Sequence, residues 1–397
     1  MYGHVFSALP GDPAELFRDL PSPCYIIDEG QLIRNCEILK SVSDATGAKI
    51  LLAQKAFSNY DLYGSIGPYL SGTEASGLYE ARLGREEMKG EVHVFCAAYR
   101  ESEFDEICGY ADHVVFNSVG QLERFGGKAK EAGLDVGLRI NPECSTQEGH
   151  EIYDPCAPGG RLGVTRAQFD LKMTNGLFSL LDGIHFHTLC EQDSDALETT
   201  LSAVFEKFGD VLSDERIKWL NIGGGHHITR PGYDVERLIR CVRRAMDEYG
   251  VGIYIEPGEA VALNAGYLLT RVLDVTENGG VTNVIVDASA AAHMPDVIEM
   301  PYTPPLYGAC EDGVPIRLGG PTCLSGDIIG DYRLKALPAI GDILLFGDMA
   351  IYSTCKNNTF NGMPLPDIYK LGTDKTLEKL TDFGYGDFKY RLGKKAR

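Results

Sequence analysis

The chain has 397 residues, 44% of them hydrophobic, which is enough for one large domain and a smaller second domain. Its net charge of −20 argues against nucleic acid as a partner, although a cationic substrate would be attracted. The eleven cysteines are scattered, the N-terminus does not resemble a signal peptide, and no apolar run reaches the roughly 18 residues that span a membrane. We therefore expect a reduced, cytoplasmic protein without a disulfide framework, a zinc ribbon or a membrane partner.

Between residues 24 and 265, short β-rich runs alternate with helical segments. The predicted strands cover 49–56, 71–76, 92–97, 113–118, 136–141, 183–188, 219–225 and 252–258, of which 71–76 is the weakest. The clearest helix covers 234–250, with Val235, Leu238, Ile239 and Val242 on one face. Eight strands alternating with helices favour a closed, TIM-like α/β barrel over an open parallel sheet, which stays the alternative.

The pattern changes after residue 266. Short β-rich runs with many Gly and Pro turns predict a C-terminal all-β domain. We therefore expect a barrel domain over 24–265 and a β domain over 266–397, which also includes part of 1–23.

Lys55 lies at the end of the first predicted barrel strand, within "ILLAQKAFSN" (50–59). Active sites of such barrels gather at the carboxyl ends of the strands. On its own, Lys55 is explained well as a rim lysine that reaches water. In an apolar surround, however, its amine would lose charge and could attack a carbonyl.

His185 and His187 are two residues apart on a predicted strand, so their side chains point to the same side. With His226 and His227 they could form a metal site, but no acidic ligand follows at a zinc-like spacing. We expect no metal here. A packed imidazole, or one that stacks on a flat cofactor, is the better interpretation of His187.

Two further predicted strands end in groups that could bind a ligand. Gly223, Gly224 and Gly225 form a loop whose backbone N–H groups could bind a phosphate, although a simple tight turn explains it equally well. Glu256 follows the last predicted strand and could hold a protonated nitrogen, although an acid in that place is more often a surface residue.

In the predicted β domain, "GPTCLSGD" (320–327) places Cys323 and Asp327 in a glycine-rich loop, and Tyr352 precedes "FNG" (360–362) by eight residues. A buried cysteine is usually a small hydrophobic residue. Because Cys323 lies in a predicted loop, the alternative is that it acts as a proton donor.

In their order and spacing, "AQKA" (53–56), "HFHT" (185–188), "IGGG" (222–225), "EPGE" (256–259), "GPTC" (320–323) and "FNG" resemble the fold-type III pyridoxal phosphate decarboxylases. The resemblance implies an alanine racemase-like barrel with a C-terminal β domain and pyridoxal 5'-phosphate as cofactor. It also implies a head-to-tail homodimer with shared active sites.

The resemblance assigns the cofactor contacts residue by residue. Lys55 would form a Schiff base with the cofactor, and His187 would stack on its ring. Gly223–Gly225 and Tyr352 would bind the phosphate. Glu256 would hold the ring nitrogen protonated.

The remaining roles concern the substrate. Cys323 would return a proton to the carbon that loses the carboxylate. Glu259, Asp296, Glu299 and Asp327 are the candidates for binding substrate amines, with Glu299 and Asp327 the weaker two. Relatives carry an arginine where Glu259 stands, and that arginine helps to hold the phosphate.

Within the family, "YDPCAPGGRLGV" (153–164), "EPGE" and "AHMPDVIEMP" (292–301) are most similar to the carboxynorspermidine and carboxyspermidine decarboxylases. We therefore expect a carboxy-lyase of polyamine biosynthesis that forms norspermidine or spermidine. The alternatives are decarboxylation of diaminopimelate or a basic amino acid, a racemase, and a non-catalytic relative. Diaminopimelate is disfavoured because Glu259 would repel its distal carboxylate, and a racemase because Glu256 faces the ring nitrogen.

Overall fold

The computed structural model describes residues 5–7, 9–147 and 154–393. Tyr153, the first residue of one predicted motif, lies outside these ranges, as do the last four residues of the basic tail. The strands are β1 Cys24–Asp28, β2 Lys49–Ala53, β3 Gly72–Ala75, β4 Glu91–Phe95, β5 His113–Phe116, β6 Asp135–Arg139, β7 Gly183–His185, β8 Trp219–Asn221, β9 Gly252–Ile255, β10 Gly266–Asn278, β11 Val281–Val286, β12 Ala309–Gly319, β13 Ile328–Leu334, β14 Ile343–Gly347, β15 Asp367–Leu371 and β16 Leu377–Thr381.

Short helices alternate with longer ones in the same ranges. They are α1 Pro13–Leu16, α2 Glu29–Thr46, α3 Tyr63–Ile66, α4 Leu78–Leu83, α5 Glu101–Tyr110, α6 Val119–Glu131, α7 Arg166–Lys172, α8 Asn175–Phe178, α9 Ser194–Leu212, α10 Val235–Tyr249, α11 Glu259–Ala262, α12 Ala290–His293, α13 Asp296–Glu299, α14 Ser353–Lys356 and α15 Tyr385–Tyr390. No helix in the described ranges is long and apolar enough to cross a membrane.

Strands β2 to β9 form a closed parallel barrel. All eight predicted strands are present, including the weakest one, which is β3. The barrel closes where Lys49 and Ile50 of β2 pair with Tyr254 and Ile255 of β9. The open-sheet alternative is therefore wrong, and the carboxyl ends of all eight strands lie on one side of the barrel.

Helix α10 shows why the barrel exterior folds as predicted. Its buried residues include Leu238, Ile239 and Val242, which recur at helical spacing. Asp234 caps the amino end by accepting a hydrogen bond from the Arg237 N–H, and Gly250 ends the helix with a left-handed backbone.

The remaining strands form a sheet in the order β13-β12-β11-β10-β1-β15-β16, and β14 also pairs with β10. Two compact units result, one over 34–261 and the other over 1–33 together with 262–397. We call them the barrel unit and the sheet unit. The predicted boundary at residue 24 was too early, because β1 pairs with β10 and β15 of the sheet unit.

Candidate active site

Lys55 lies in the turn that follows β2, at the carboxyl end of the barrel. The strand ends in the buried Ala53, and the preceding Gln54 is buried too. The Gln54 amide donates to the Glu80 carbonyl at 2.7 Å, and its carbonyl accepts from the Tyr63 hydroxyl at 3.1 Å. These contacts fix the turn from which Lys55 projects.

Lys55 itself is exposed, so the expectation that an apolar surround desolvates its amine is wrong. Its neighbours are ionisable groups instead. Burial raises the pKa of Glu74, and the charge of Glu256 raises it further, whereas the charge of Lys55 acts in the opposite direction. Burial lowers the pKa of His187 well below its ordinary value, and the positive charge of Lys55 adds to that shift.

Glu256 is 5% exposed and directly follows β9. Its carboxylate accepts hydrogen bonds from the Asn221 amide at 2.6 Å and from His185 Nε2 at 3.2 Å. Burial alone would raise the pKa of Glu256, but these two donors outweigh it and lower the pKa. Burial also lowers the pKa of His185, so a neutral imidazole donates to an ionised Glu256.

The glycine loop after β8 packs against His187. The Gly224 N–H donates to His187 Nδ1 at 3.2 Å, which orients the ring and leaves its Nε2 protonated when the imidazole is neutral. Gly223 and Gly225 have positive φ, and a Cβ on Gly225 would lie 2.0 Å from the Leu189 carbonyl oxygen. The close approach of the two segments therefore requires glycine.

Two ionisable residues of this site were missed by the sequence interpretation. Glu74 in β3 is 3% exposed, and its Oε2 has no hydrogen-bond partner in the described residues. Its raised pKa means that it retains a proton at neutral pH. Arg139 ends β6, is 5% exposed, donates to the His187 carbonyl at 3.1 Å and lies 4.7 Å from the Phe95 ring centre.

Glu259 has an imidazole neighbour that the sequence did not indicate. Its Oε1 lies 3.2 Å from His227 Nε2. Burial alone would lower the pKa of His227, but the interaction with Glu259 raises it above its ordinary value. The Glu259 carboxylate and the His227 imidazole therefore favour each other's charged forms, close to the end of the glycine loop.

In the sheet unit, Cys323 is exposed and its thiol donates to Asn361 Oδ1 at 3.0 Å. Asp327 is buried, and its oxygens accept from the Ser289 hydroxyl, the Thr322 hydroxyl and the Ala290 N–H, at 2.6 to 3.0 Å. These bonds hold the cysteine loop against α12. Asp327 therefore has a structural task, which corrects its prediction as a ligand of substrate amines.

Asp296 and Glu299 both lie on α13, and both form ion pairs with Lys356 of α14. A substrate amine would have to compete with Lys356 for them. Tyr352 lies at the amino end of α14 with a left-handed backbone at φ 57°, which is uncommon for a residue other than glycine. Lys356 Nζ lies 5.9 Å from the centre of that ring.

A family model described as pyridoxal-dependent decarboxylase, C-terminal sheet domain, matches residues 24–350. A carboxynorspermidine/carboxyspermidine decarboxylase of Campylobacter jejuni is 40% identical over 94% of this chain and 99% of its own length. A carboxyaminopropylagmatine decarboxylase of Synechocystis is 39% identical over 94% of this chain and 96% of its own length.

This chain belongs to the pyridoxal-dependent decarboxylases. A solved structure agrees, since the carboxynorspermidine decarboxylase of Campylobacter jejuni in complex with norspermidine superposes with a TM-score of 0.86 at 39% identity. The superposition covers 94% of this chain and all of the other. The chain is therefore a carboxy-lyase whose cofactor is pyridoxal phosphate.

The barrel unit of this decarboxylase fits that cofactor. Glu256 presents a buried carboxylate whose negative charge suits a protonated ring nitrogen. The Gly223–Gly225 loop leaves its backbone without side chains, as close approach of a phosphate requires. Lys55 follows β2 and His187 follows β7, both at the carboxyl end of the barrel, the end at which an aldehyde and a flat ring would be bound.

Proposed function

We propose that this decarboxylase removes the carboxylate of carboxynorspermidine or carboxyspermidine and releases norspermidine or spermidine. The observation that supports this most strongly is the 40% identity to a carboxynorspermidine/carboxyspermidine decarboxylase over nearly the full length of both chains. The acidic charge of the chain suits a substrate with several amines.

The bound cofactor supplies an electron-withdrawing ring that accepts the electrons left by the departing carboxylate. Each nearby side chain then has a physical task. An ionised Glu256 would stabilise a positive charge on the ring nitrogen. His187 would support one face of the ring, and Lys55 would provide the amine that binds the cofactor aldehyde.

The protonation step falls to Cys323. Its thiol is exposed and is a hydrogen-bond donor, as a group that returns a proton to the decarboxylated substrate would need to be. Tyr352 is the sheet-unit residue that we assign to the phosphate.

The distal amines of the substrate need acidic partners, because burying an unpaired ammonium costs several kcal/mol. We assign this task to Asp296 first, and then to Glu299 and Glu259. Asp296 and Glu299 pair with Lys356, and Glu259 lies beside His227, so each acid has a basic neighbour in the chain before substrate binds. Asp296→Asn should therefore raise KM more than it lowers kcat.

A second candidate substrate is carboxyaminopropylagmatine, which the 39% identity to the Synechocystis enzyme favours. This compound ends in a guanidinium, whose planar fork binds carboxylates in pairs of hydrogen bonds. An ammonium makes no such planar contact. The two substrates can therefore be distinguished by the terminal cation that the acids on α13 prefer.

The deciding experiment supplies the holoenzyme with carboxynorspermidine, carboxyspermidine, carboxyaminopropylagmatine and diaminopimelate in separate reactions. The amine products are quantified by mass spectrometry, and Lys55→Ala serves as the inactive control. We expect the highest kcat/KM with one of the first two. Preference for carboxyaminopropylagmatine would select the second candidate, and turnover of diaminopimelate alone would refute both.

We also propose a homodimer with shared active sites. Exposure of Cys323, the assigned proton donor, is consistent with a thiol that serves the partner's barrel. Mixing Lys55→Ala with Cys323→Ala subunits tests this, because hybrid dimers would contain one intact site. Activity above that of either variant alone is expected, and no gain after verified subunit exchange would contradict sharing.

A further inference from the structure

Lys356 on α14 is held by two acids of α13. Its ammonium donates a hydrogen bond to Asp296 Oδ1 and lies 2.5 Å from Glu299 Oε2. The Asp296 side chain is 17% exposed, whereas that of Glu299 is 58% exposed and that of Lys356 33%. The ammonium therefore lies between a nearly buried carboxylate and one that faces solvent, so another cation can reach both acids from outside.

The surroundings of the Lys356 ammonium are those of a bound alkylammonium ligand. Besides the two carboxylates, the Tyr352 ring lies with its centre 5.9 Å from Nζ, within the range at which an aromatic ring attracts a cation. A primary ammonium on an unbranched alkyl chain is also the distal end of carboxynorspermidine and of carboxyspermidine. The lysine side chain and these substrates therefore present the same chemical group.

The charge of this cluster favours exchange of one ammonium for another. Two carboxylates and one ammonium leave a single net negative charge. Burial alone would lower the pKa of Lys356, but Asp296 and Glu299 outweigh it and raise the pKa, so the side chain stays charged. If Lys356 left and no cation replaced it, two acids would face each other unpaired. A ligand that brings its own ammonium avoids this repulsion.

Lys356 can leave the acids without disturbing the fold. It is the last residue of α14, and its backbone N–H donates to the Tyr352 carbonyl at 2.8 Å, independently of its side chain. Exchange therefore needs only a change of rotamer in a partly exposed side chain, which is fast compared with substrate binding and turnover.

We propose that Lys356 is a specificity-determining residue, because its ammonium occupies the position of the distal substrate ammonium until a substrate with a cation at that position displaces it. A substrate whose distal end is neutral or anionic cannot replace Lys356 and therefore does not gain contact with Asp296. This inference rests on the proposed function, since it takes the acids of α13 as the partners of the distal amine.

Two substitutions of Lys356 separate this role from a structural one. Lys356→Met removes the charge but keeps an unbranched side chain, so the ligand ammonium meets no competitor. Lys356→Arg keeps the charge and binds carboxylates through paired hydrogen bonds, so it is harder to displace.

The sheet unit also offers a matched control, Lys379→Met. Lys379 lies 3.2 Å from Asp367 and 3.7 Å from Asp382, and its Nζ is 5.9 Å from the centre of the Tyr369 ring. The control therefore removes the same charge from the same kind of cluster, at the β15–β16 pair instead of at α13.

Binding is measured by titrating each holoenzyme with norspermidine and following the visible band of the cofactor, which reports ligands at the active site. Propylamine, which has one amine and no distal cation, is the control ligand. We expect norspermidine to bind at least ~5-fold more tightly to Lys356→Met than to wild type, because it no longer has to break an ion pair. It should bind more weakly to Lys356→Arg. Lys379→Met should match the wild type, and the affinity for propylamine should be the same in all four proteins.

A structural role of Lys356 predicts the opposite signs, with weaker binding in Lys356→Met and near-normal binding in Lys356→Arg. That result would overturn the proposal, as would equal tightening for propylamine or in Lys379→Met, or a lack of norspermidine binding in every variant. If Lys356→Met does not fold, Lys356→Arg decides by itself. Turnover of carboxynorspermidine without tighter binding in Lys356→Met would refute the role of Lys356 and leave the proposed function standing.

Discussion

The two ends of the barrel carry similar residues in different environments. At the carboxyl ends of the strands, which we call the mouth, Glu256 is buried and accepts hydrogen bonds from His185 and Asn221. At the opposite, amino-terminal end, which we call the floor, Glu91 is partly exposed and paired with Lys49, while His113 Nδ1 has no hydrogen-bond partner in the described residues. A carboxylate between internal donors stays ionised and fixed, which suits an organic cation. At the floor, the stacked rings of His93 and His113 pack against Tyr254, and Lys49 is the partner of the carboxylate, so these groups serve the packing of the barrel.

The largest expected effect comes from Glu256→Gln. Loss of the negative charge removes the stabilisation of the protonated ring nitrogen, and loss of one such electrostatic contact lowers kcat by about 10²–10³. Steady-state kinetics with the preferred substrate measure this change, and Glu101→Gln at the outer surface is the control. A loss below tenfold would show that the buried acid at the mouth is structural.

Gly225→Ala tests the loop that distinguishes the mouth. A Cβ there would lie 2.0 Å from the Leu189 carbonyl oxygen, and φ is +81°. Gly232→Ala is the matched control, with φ +89° and open space around the Cβ. We expect about 1–2 kcal/mol of lost stability in the control from the backbone alone.

Gly225→Ala should lose more stability than this control and should also bind pyridoxal phosphate more weakly. Urea denaturation and cofactor titration measure the two effects. Equal stability losses in the two variants would mean that the loop can relax away from Leu189.

A smaller effect is predicted for Glu74→Gln. The folded-state pKa of Glu74 is raised, so its contribution to stability is complete below the ordinary carboxyl pKa of about 4.3 and is lost as pH rises through the raised value. Glutamine lacks this titration. The variant should therefore gain stability relative to wild type between pH 5 and pH 9, as urea midpoints can show. Parallel stability curves would contradict a protonated Glu74.

The sequence predicted all eight barrel strands, because seven are short β-rich runs followed by a turn, and the weakest, 71–76, completes the alternation with helices. Lys55, His187, Gly223–Gly225 and Glu256 could be placed at strand ends for the same reason. The predicted domain boundary at residue 24 placed the residues of β1 with the barrel, although no strand was predicted there. Only the pairing of β1 with β10, more than 200 residues away, places it in the sheet unit.

The hydrogen-bond and charge partners of these residues were harder to predict than their positions on strands. Glu74 and Arg139 end ordinary strands in the sequence, and nothing local shows that both are buried beside His187 and Glu256. The sequence offered one signal for them, which is a charged residue near the end of a predicted barrel strand. Asp327 was misassigned because its bonds to Ser289 and Ala290 join segments that are far apart in sequence.

The assignment of the active site to the mouth of the barrel is tested most directly by locating the lysine that binds the cofactor. Borohydride reduction of the holoenzyme, followed by peptide mass spectrometry, fixes the pyridoxyl group on its lysine. We predict modification of Lys55 in wild type, with loss of the label and of the visible cofactor band in Lys55→Ala. A label on Lys49 at the floor or on Lys356 in the sheet unit, with Lys55 unmodified, would contradict the assignment of the active site.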